Sequence, residues 1–169
     1  MKLDVGCGQI CKPGFIGVDY KKYNDKIKFI VNLNKSKLPF KDNSIEEIYC
    51  SHVLEHLDNP METIGEFYRV LLKGGKLKII VPHYSNPLGK VPIHKTEWGF
   101  RTEFVLSTYH ENNCNWEKIN VSYSWNTNNI LRKIIDFPFD LIINWNKTIY
   151  ERHFACINPI YELIFDLEK

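Results

Sequence analysis

The chain has 169 residues, a net charge of +2 at pH 7 and 44% hydrophobic residues, enough for one domain with a packed core. Its basic residues are dispersed, which gives no electrostatic footprint for nucleic acid. Five cysteines, Cys7, Cys11, Cys50, Cys114 and Cys156, include no Cys-x-x-Cys pair; this argues against a disulfide framework or structural zinc and for a reducing, cytoplasmic setting. With neither a charged leader nor an apolar run of about 18 residues, no signal peptide and no membrane span are expected.

In chain order, short apolar or β-branched runs predict strands at 2–5, 15–19, 27–31, 45–50 and 76–81. A helix is expected over 60–72, with Pro60 in its first turn and Gly74 as its stop. Alternation of this kind predicts an α/β fold on a parallel sheet. Residues 82–98 read as a loop rich in Pro, Gly, His and Asn, 102–112 as a helix and 115–124 as a strand. The apolar stretch 128–147 reads as a helix broken near Pro138, and 159–168 as a final strand.

The most informative segment is Leu3-Asp4-Val5-Gly6-Cys7-Gly8-Gln9, followed by Phe15-Ile16-Gly17-Val18-Asp19. One apolar strand ends in Gly-x-Gly and the next ends in an acid. In open α/β sheets ligands bind beyond the carboxyl ends of the strands, where glycines admit close backbone approach and an acid can hold ribose hydroxyls. A nucleoside-containing ligand follows. NAD is disfavoured, because Cys11 stands where a dinucleotide fingerprint wants a third glycine and Asp19 follows Gly8 too closely.

Further on come Asn32-Leu33, Leu38-Pro39-Phe40, then Ser51-His52-Val53-Leu54-Glu55-His56-Leu57, Leu72-Lys73-Gly74-Gly75 and Ile79-Ile80-Val81-Pro82. In that order, residues 2–82 resemble the class I S-adenosylmethionine-dependent methyltransferases of the type 11 group. The resemblance implies a Rossmann-like, doubly wound, mostly parallel sheet with an antiparallel C-terminal strand. It implies one domain over 1–169, with a cofactor-binding half at 1–82, acceptor-site loops and lid at 83–158 and a final strand at 159–169. It also implies a methyltransferase that takes S-adenosylmethionine as cofactor, releases S-adenosylhomocysteine and acts on a small acceptor; the apolar C-terminal third points to one that is partly apolar.

Two departures from the family pattern stand out. The space between Gly8 and Asp19 is too short for a crossover helix, so a tight loop around Pro13-Gly14 is expected. Asn32 replaces the usual acid, though its amide oxygen can still accept from an adenine amino group. The implied cofactor contacts are Asp4 to the amino group, Gly6 and Gly8 by backbone, Asp19 to the ribose, Asn32 with the Leu33 backbone to adenine, and Ser51 and His52 over the methionine half. An alternative is a non-catalytic nucleoside-binding protein that keeps the fold.

His52-x-x-Glu55-His56 also matches an inverted zincin pattern, in which two histidines on one helical face ligate zinc. That zinc-hydrolase reading leaves the glycine turn unexplained, so it ranks behind methyl transfer and no metal is expected. After the fifth strand, Pro82-His83-Tyr84-Ser85 and Pro92-Ile93-His94 should overhang the methyl group. His83 and His94 are then the candidate bases, with Tyr84 positioning the acceptor. The greasy run from Ile130 to Trp145, including Ile134, Ile135, Phe137, Leu141 and Ile143, is expected to be a lid helix packed on the core, with a homodimer face as one alternative.

Overall fold

The computed structural model describes residues 1–108, 114–125 and 130–169, with nothing said of the side chains of 88, 89 and 130–132. Among these residues seven strands form one sheet: β1 (Lys2–Val5), β2 (Ile16–Asp19), β3 (Ile27–Ile30), β4 (Ile45–Ser51), β5 (Leu71–Pro82), β6 (Lys118–Ser124) and β7 (Glu162–Glu168). Their spatial order is β3-β2-β1-β4-β5-β7-β6. β1 to β5 run parallel, and β7 lies antiparallel to both β5 and β6. The order reverses between β1 and β4, and an open α/β sheet holds ligands at such a switch point.

The helices are α1 (Pro60–Val70), α2 (Thr102–Thr108), α3 (Ile130–Trp145) and α4 (Lys147–His153). α1 starts as its sequence dictates: Pro60 occupies the first turn and the Asn59 side chain accepts from the Glu62 N–H. It ends at Val70, two residues before the expected limit, and Gly74 lies inside the β5 span instead of stopping the helix. β5 bulges there, since Ile45 pairs with Leu71 but Glu47 with Lys76. α3 runs through Pro138 without the expected break. Proline removes one backbone donor, and the carbonyl it would have served, on Ile134, belongs to an exposed residue and can turn to water. The expected continuation of α2 to 112, and residues 128 and 129, lie outside the described residues.

Among the described residues, the β1–β2, β2–β3 and β3–β4 connections contain no helix. The loop after β1 covers its own sheet face instead. Lys12 Nζ sits 4.1 Å from the Tyr49 ring centroid and 4.7 Å from that of Phe15, so its aliphatic stem and charge roof two aromatic rings. The core is continuous from Leu3 and Val5 through Ile48, Leu77 and Ile79 to Leu163 and Phe165. Of the described side chains of α3, Ile143 is buried and Phe139 and Ile142 pack against the core, but Ile134, Ile135, Phe137, Leu141 and Trp145 are exposed, which departs from the expected lid helix packed on the core. No described helix is long and apolar enough to cross a membrane.

Candidate functional site

A cleft of about 540 Å³ opens beyond the carboxyl ends of β1, β2 and β3 and against the turn that follows β4. Its lining brings together Gly6, Gly8, Asp19, Asn32, Leu33 and His52, six of the residues singled out in the sequence. The size suits a small-molecule or cofactor site. A second groove, of about 670 Å³, lies between residues 33–37 and α1, away from the glycine turn.

The glycine turn is built by backbone geometry and one carboxylate. Gly6 (φ 73°) and Gly8 (φ 57°) both occupy the left-handed region that side chains disfavour. The Gly8 N–H donates to Asp19 Oδ2 at 2.8 Å, and the Gly6 N–H donates to the Val18 carbonyl at 2.7 Å. Asp19 thus ties the end of β2 to the turn after β1. Cys7, between the glycines, is no nucleophile: burial pushes its thiol up to about 12, and the reactive form is the thiolate.

Asp4 and Ser51 are not part of the cleft lining. The Asp4 carboxylate is buried and accepts the Lys12 N–H at 2.7 Å, so it stabilises the shortened loop. Burial raises its pKa, with the Lys12 bond opposing. The Asn32 side chain accepts the Asn34 N–H at 3.0 Å, an Asx turn that shapes the cleft floor. Tyr20 and Tyr23, joined by a 2.8 Å hydroxyl contact, form an exposed wall that sequence reasoning missed. Aromatic residues shortly after the acid that ends β2 were the available signal, because a base can stack on such rings.

At the far end stand His52, Val53, His56 and Leu57. His52 holds a left-handed backbone (φ 55°), rare for a non-glycine residue and common at functional positions. Its Nε2 lies 2.7 Å from Glu162 Oε1 on β7 and its Nδ1 3.3 Å from Glu55 Oε1. These carboxylates, Glu55 foremost and against an opposing effect of burial, hold the imidazole above its ordinary pKa. The segment after His52 is a 3-10 turn, Leu54–His56, and not an α-helix. The geometry needed for an inverted zincin, two histidines on one helical face, is therefore absent: His52 turns to Glu162, while His56 packs edge-on against His94 with ring centroids 4.8 Å apart.

The structure places His83 and Tyr84 differently from the expectation that they overhang the methyl group. His83 is fully buried. The Ser85 N–H donates to its Nδ1 at 3.2 Å, and its Nε2 faces Glu151 Oε1 at 3.3 Å. The Tyr84 hydroxyl donates to the Glu151 carbonyl at 2.9 Å. Glu151 Oε1 also accepts the Phe100 N–H at 2.6 Å, so these groups knit β5, the 98–100 segment and α4 together. Sequence reasoning had no element at 147–153, although Asn146 caps it by accepting the Ile149 N–H.

The comparisons with known proteins agree with this geometry. Residues 3–79 match the family model described as a methyltransferase domain. An uncharacterised protein of Methanocaldococcus jannaschii is 36% identical over 99 residues, which cover 54% of this chain and 48% of that protein. A second protein of the same organism is 43% identical over 44 residues, covering 26% of this chain and 19% of its own length. The chain thus spans about half the length of the first relative, or less of the second. Among solved structures, a methyltransferase from Archaeoglobus fulgidus described as S-adenosylmethionine-dependent superposes with a TM-score of 0.62 at 16% identity, over 99% of this chain and 85% of that one. A phosphoethanolamine N-methyltransferase of Haemonchus contortus, solved with phosphomonomethylethanolamine and S-adenosylhomocysteine, gives a TM-score of 0.58 at 15% identity, over 99% of this chain and 48% of its own. Through its methyltransferase-domain match at residues 3–79 and a fold shared along its length, the chain is similar to the Rossmann-like class I S-adenosylmethionine-dependent methyltransferases.

Proposed function

We propose that the chain transfers a methyl group from S-adenosylmethionine to a small-molecule acceptor that enters beside His52, Val53 and His56. The observation that carries this reading is the Asp19–Gly8 bond at the sheet's switch point. It fixes a ribose-binding carboxylate against a glycine turn whose backbone a ligand can approach. In this reading the Asp19 carboxylate takes a ribose hydroxyl, Asn32, Leu33 and Asn34 meet the adenine edge, and Tyr20 or Tyr23 covers its face. When bound, the cofactor supplies an electrophilic methyl on a sulfonium leaving group. What the protein must add is alignment of the acceptor and exclusion of water. Val53 and Leu57 give that end of the cleft an apolar wall, in keeping with a partly apolar acceptor. Of the three residues proposed for catalysis, His94, packed on His56, is assigned to the acceptor side, whereas His83 and Tyr84, both tied to Glu151, take a positioning role.

Calorimetry tests the reading directly. S-adenosylhomocysteine is expected to bind in the low-micromolar range, about −8 kcal/mol. Asp19→Ala, which loses a charged hydrogen-bonding group, should weaken binding by about 1.5–3 kcal/mol. Asp19→Asn keeps an oxygen for the Gly8 N–H and should fall between. Binding of NAD in place of S-adenosylhomocysteine would overturn the proposal.

A further inference from the structure

Glu55 is fully buried, and neither of its carboxylate oxygens has a hydrogen-bond partner. His52 Nδ1, 3.3 Å away, is close enough for attraction but not aligned to donate. A buried carboxylate left this way is costly, because its lost hydration is not replaced by donors. Two imidazoles converge on the same place. One potential ligand atom each from Glu55, His56 and His94 lie within 4.8 Å of one another.

We infer that Glu55, His56 and His94 form a binding site for a divalent cation of the zinc class, at the rim of the proposed methyl-transfer cleft. Three independent features favour it. First, a cation would coordinate the oxygens of the buried Glu55 carboxylate, which His52 attracts from 3.3 Å without a hydrogen bond. Second, His56 Nδ1 lies 3.2 Å from the Ile93 carbonyl, which fixes the proton on that nitrogen and leaves the lone pair on Nε2. Metal-ligating histidines are oriented by this kind of bond to a backbone carbonyl. Third, the loop carrying His94 is already pinned to the same turn, for the Lys95 N–H donates to the Glu55 carbonyl at 2.7 Å. A nitrogen–nitrogen–carboxylate set matches the ligands of catalytic zinc, which keeps a fourth position open for water or a substrate heteroatom. The spread of 4.8 Å exceeds the ligand separation of a closed tetrahedral site, so binding draws the His94 loop inward. The sequence pattern offered His52 as the partner of His56; the fold supplies His94 instead, 38 residues further on.

The test uses the full chain, stripped with a chelator, and the metal alone. Zinc titrated calorimetrically should bind at one equivalent per chain. Removing a ligand should weaken it by more than the 10- to 100-fold typical of outer-shell changes, so His56→Ala, His94→Ala and Glu55→Gln should each lose stoichiometric zinc. His153→Ala, at an exposed position of α4, should keep it. Cobalt(II) in place of zinc should give the intense bands of a four-coordinate site, and azide should shift them by taking the open position. His94→Ala removes a half-buried loop side chain that packs on His56, and a thermal unfolding profile close to the parent's lets a loss of metal there read as a lost ligand. Absence of stoichiometric zinc, or its retention in both histidine variants, overturns the site. A cobalt spectrum indifferent to azide overturns the open position. None of these readouts needs S-adenosylmethionine, so failure here leaves the proposed function standing, and failure of cofactor binding leaves this site standing.

Discussion

Gly6 and Gly8 share the left-handed backbone region but do not share surroundings. A Cβ built on Gly6 would lie 2.1 Å from Val53 Cγ2, whereas one on Gly8 meets nothing within 4 Å. Gly8→Ala should therefore cost only the backbone strain, about 1–2 kcal/mol. Gly6→Ala adds a steric conflict with the turn after β4 and should cost about 3 kcal/mol or more. Urea denaturation of the two variants checks the difference, and equal costs would mean that Val53 yields freely. This part of the site was legible in the sequence, since glycine spacing and a strand-end acid are local patterns. The burial of His83 was not legible. Its neighbours Phe100, Tyr150 and Glu151 come from 17 to 68 residues downstream, and no local pattern announces that they close over it.

At the scale of elements, the β3–β4 connection shows how a crossover stays ordered without a helix among its described residues. Arg69, near the end of α1, donates to Glu66 through Nε and Nη2 at 2.7 and 2.6 Å, to the Phe40 carbonyl at 3.1 Å and to Asp42. The Leu38 N–H donates back to Glu66 Oε1 at 2.8 Å. One guanidinium thus fastens a loop across more than 25 residues of sequence. Arg69→Ala should destabilise the fold by about 2 kcal/mol, as expected for hydrogen bonds to charged groups. Arg69→Lys should recover less than half of that, because an ammonium cannot reproduce the planar fork. Equilibrium unfolding reads the cost, and faster hydrogen exchange at the Leu38 amide locates it. The positions of the strands and of α1 could be read from apolar runs and Pro60. The end of α1 could not, because Gly74 serves a bulge paired to β4 and a local stop signal looks the same in both settings.

At the scale of the whole molecule, β7 is the keystone of the C-terminal half. Leu163, Phe165 and Leu167 are buried, and each of its residues from Glu162 to Glu168 pairs with β5 on one side and β6 on the other. Phe165, fully buried and edge-on to Trp98 at 6.1 Å, anchors it. Phe165→Ala should cost about 3–5 kcal/mol; a loss below about 1 kcal/mol by denaturant unfolding would show that the strand is held by its backbone alone. The period-2 alternation of 159–168 announced a strand, but its place between two earlier ones is a property of topology, which periodicity does not encode. That place sets an order of events on the ribosome. β1 to β5 can pair as they emerge, yet β6 leaves the exit tunnel with an unsatisfied hydrogen-bonding edge and waits for more than 35 further residues before its only described neighbour exists. Over that interval of synthesis, about 2–7 s at 5–20 residues per second, the nascent chain exposes two open edges, on β5 and β6, that the finished protein conceals.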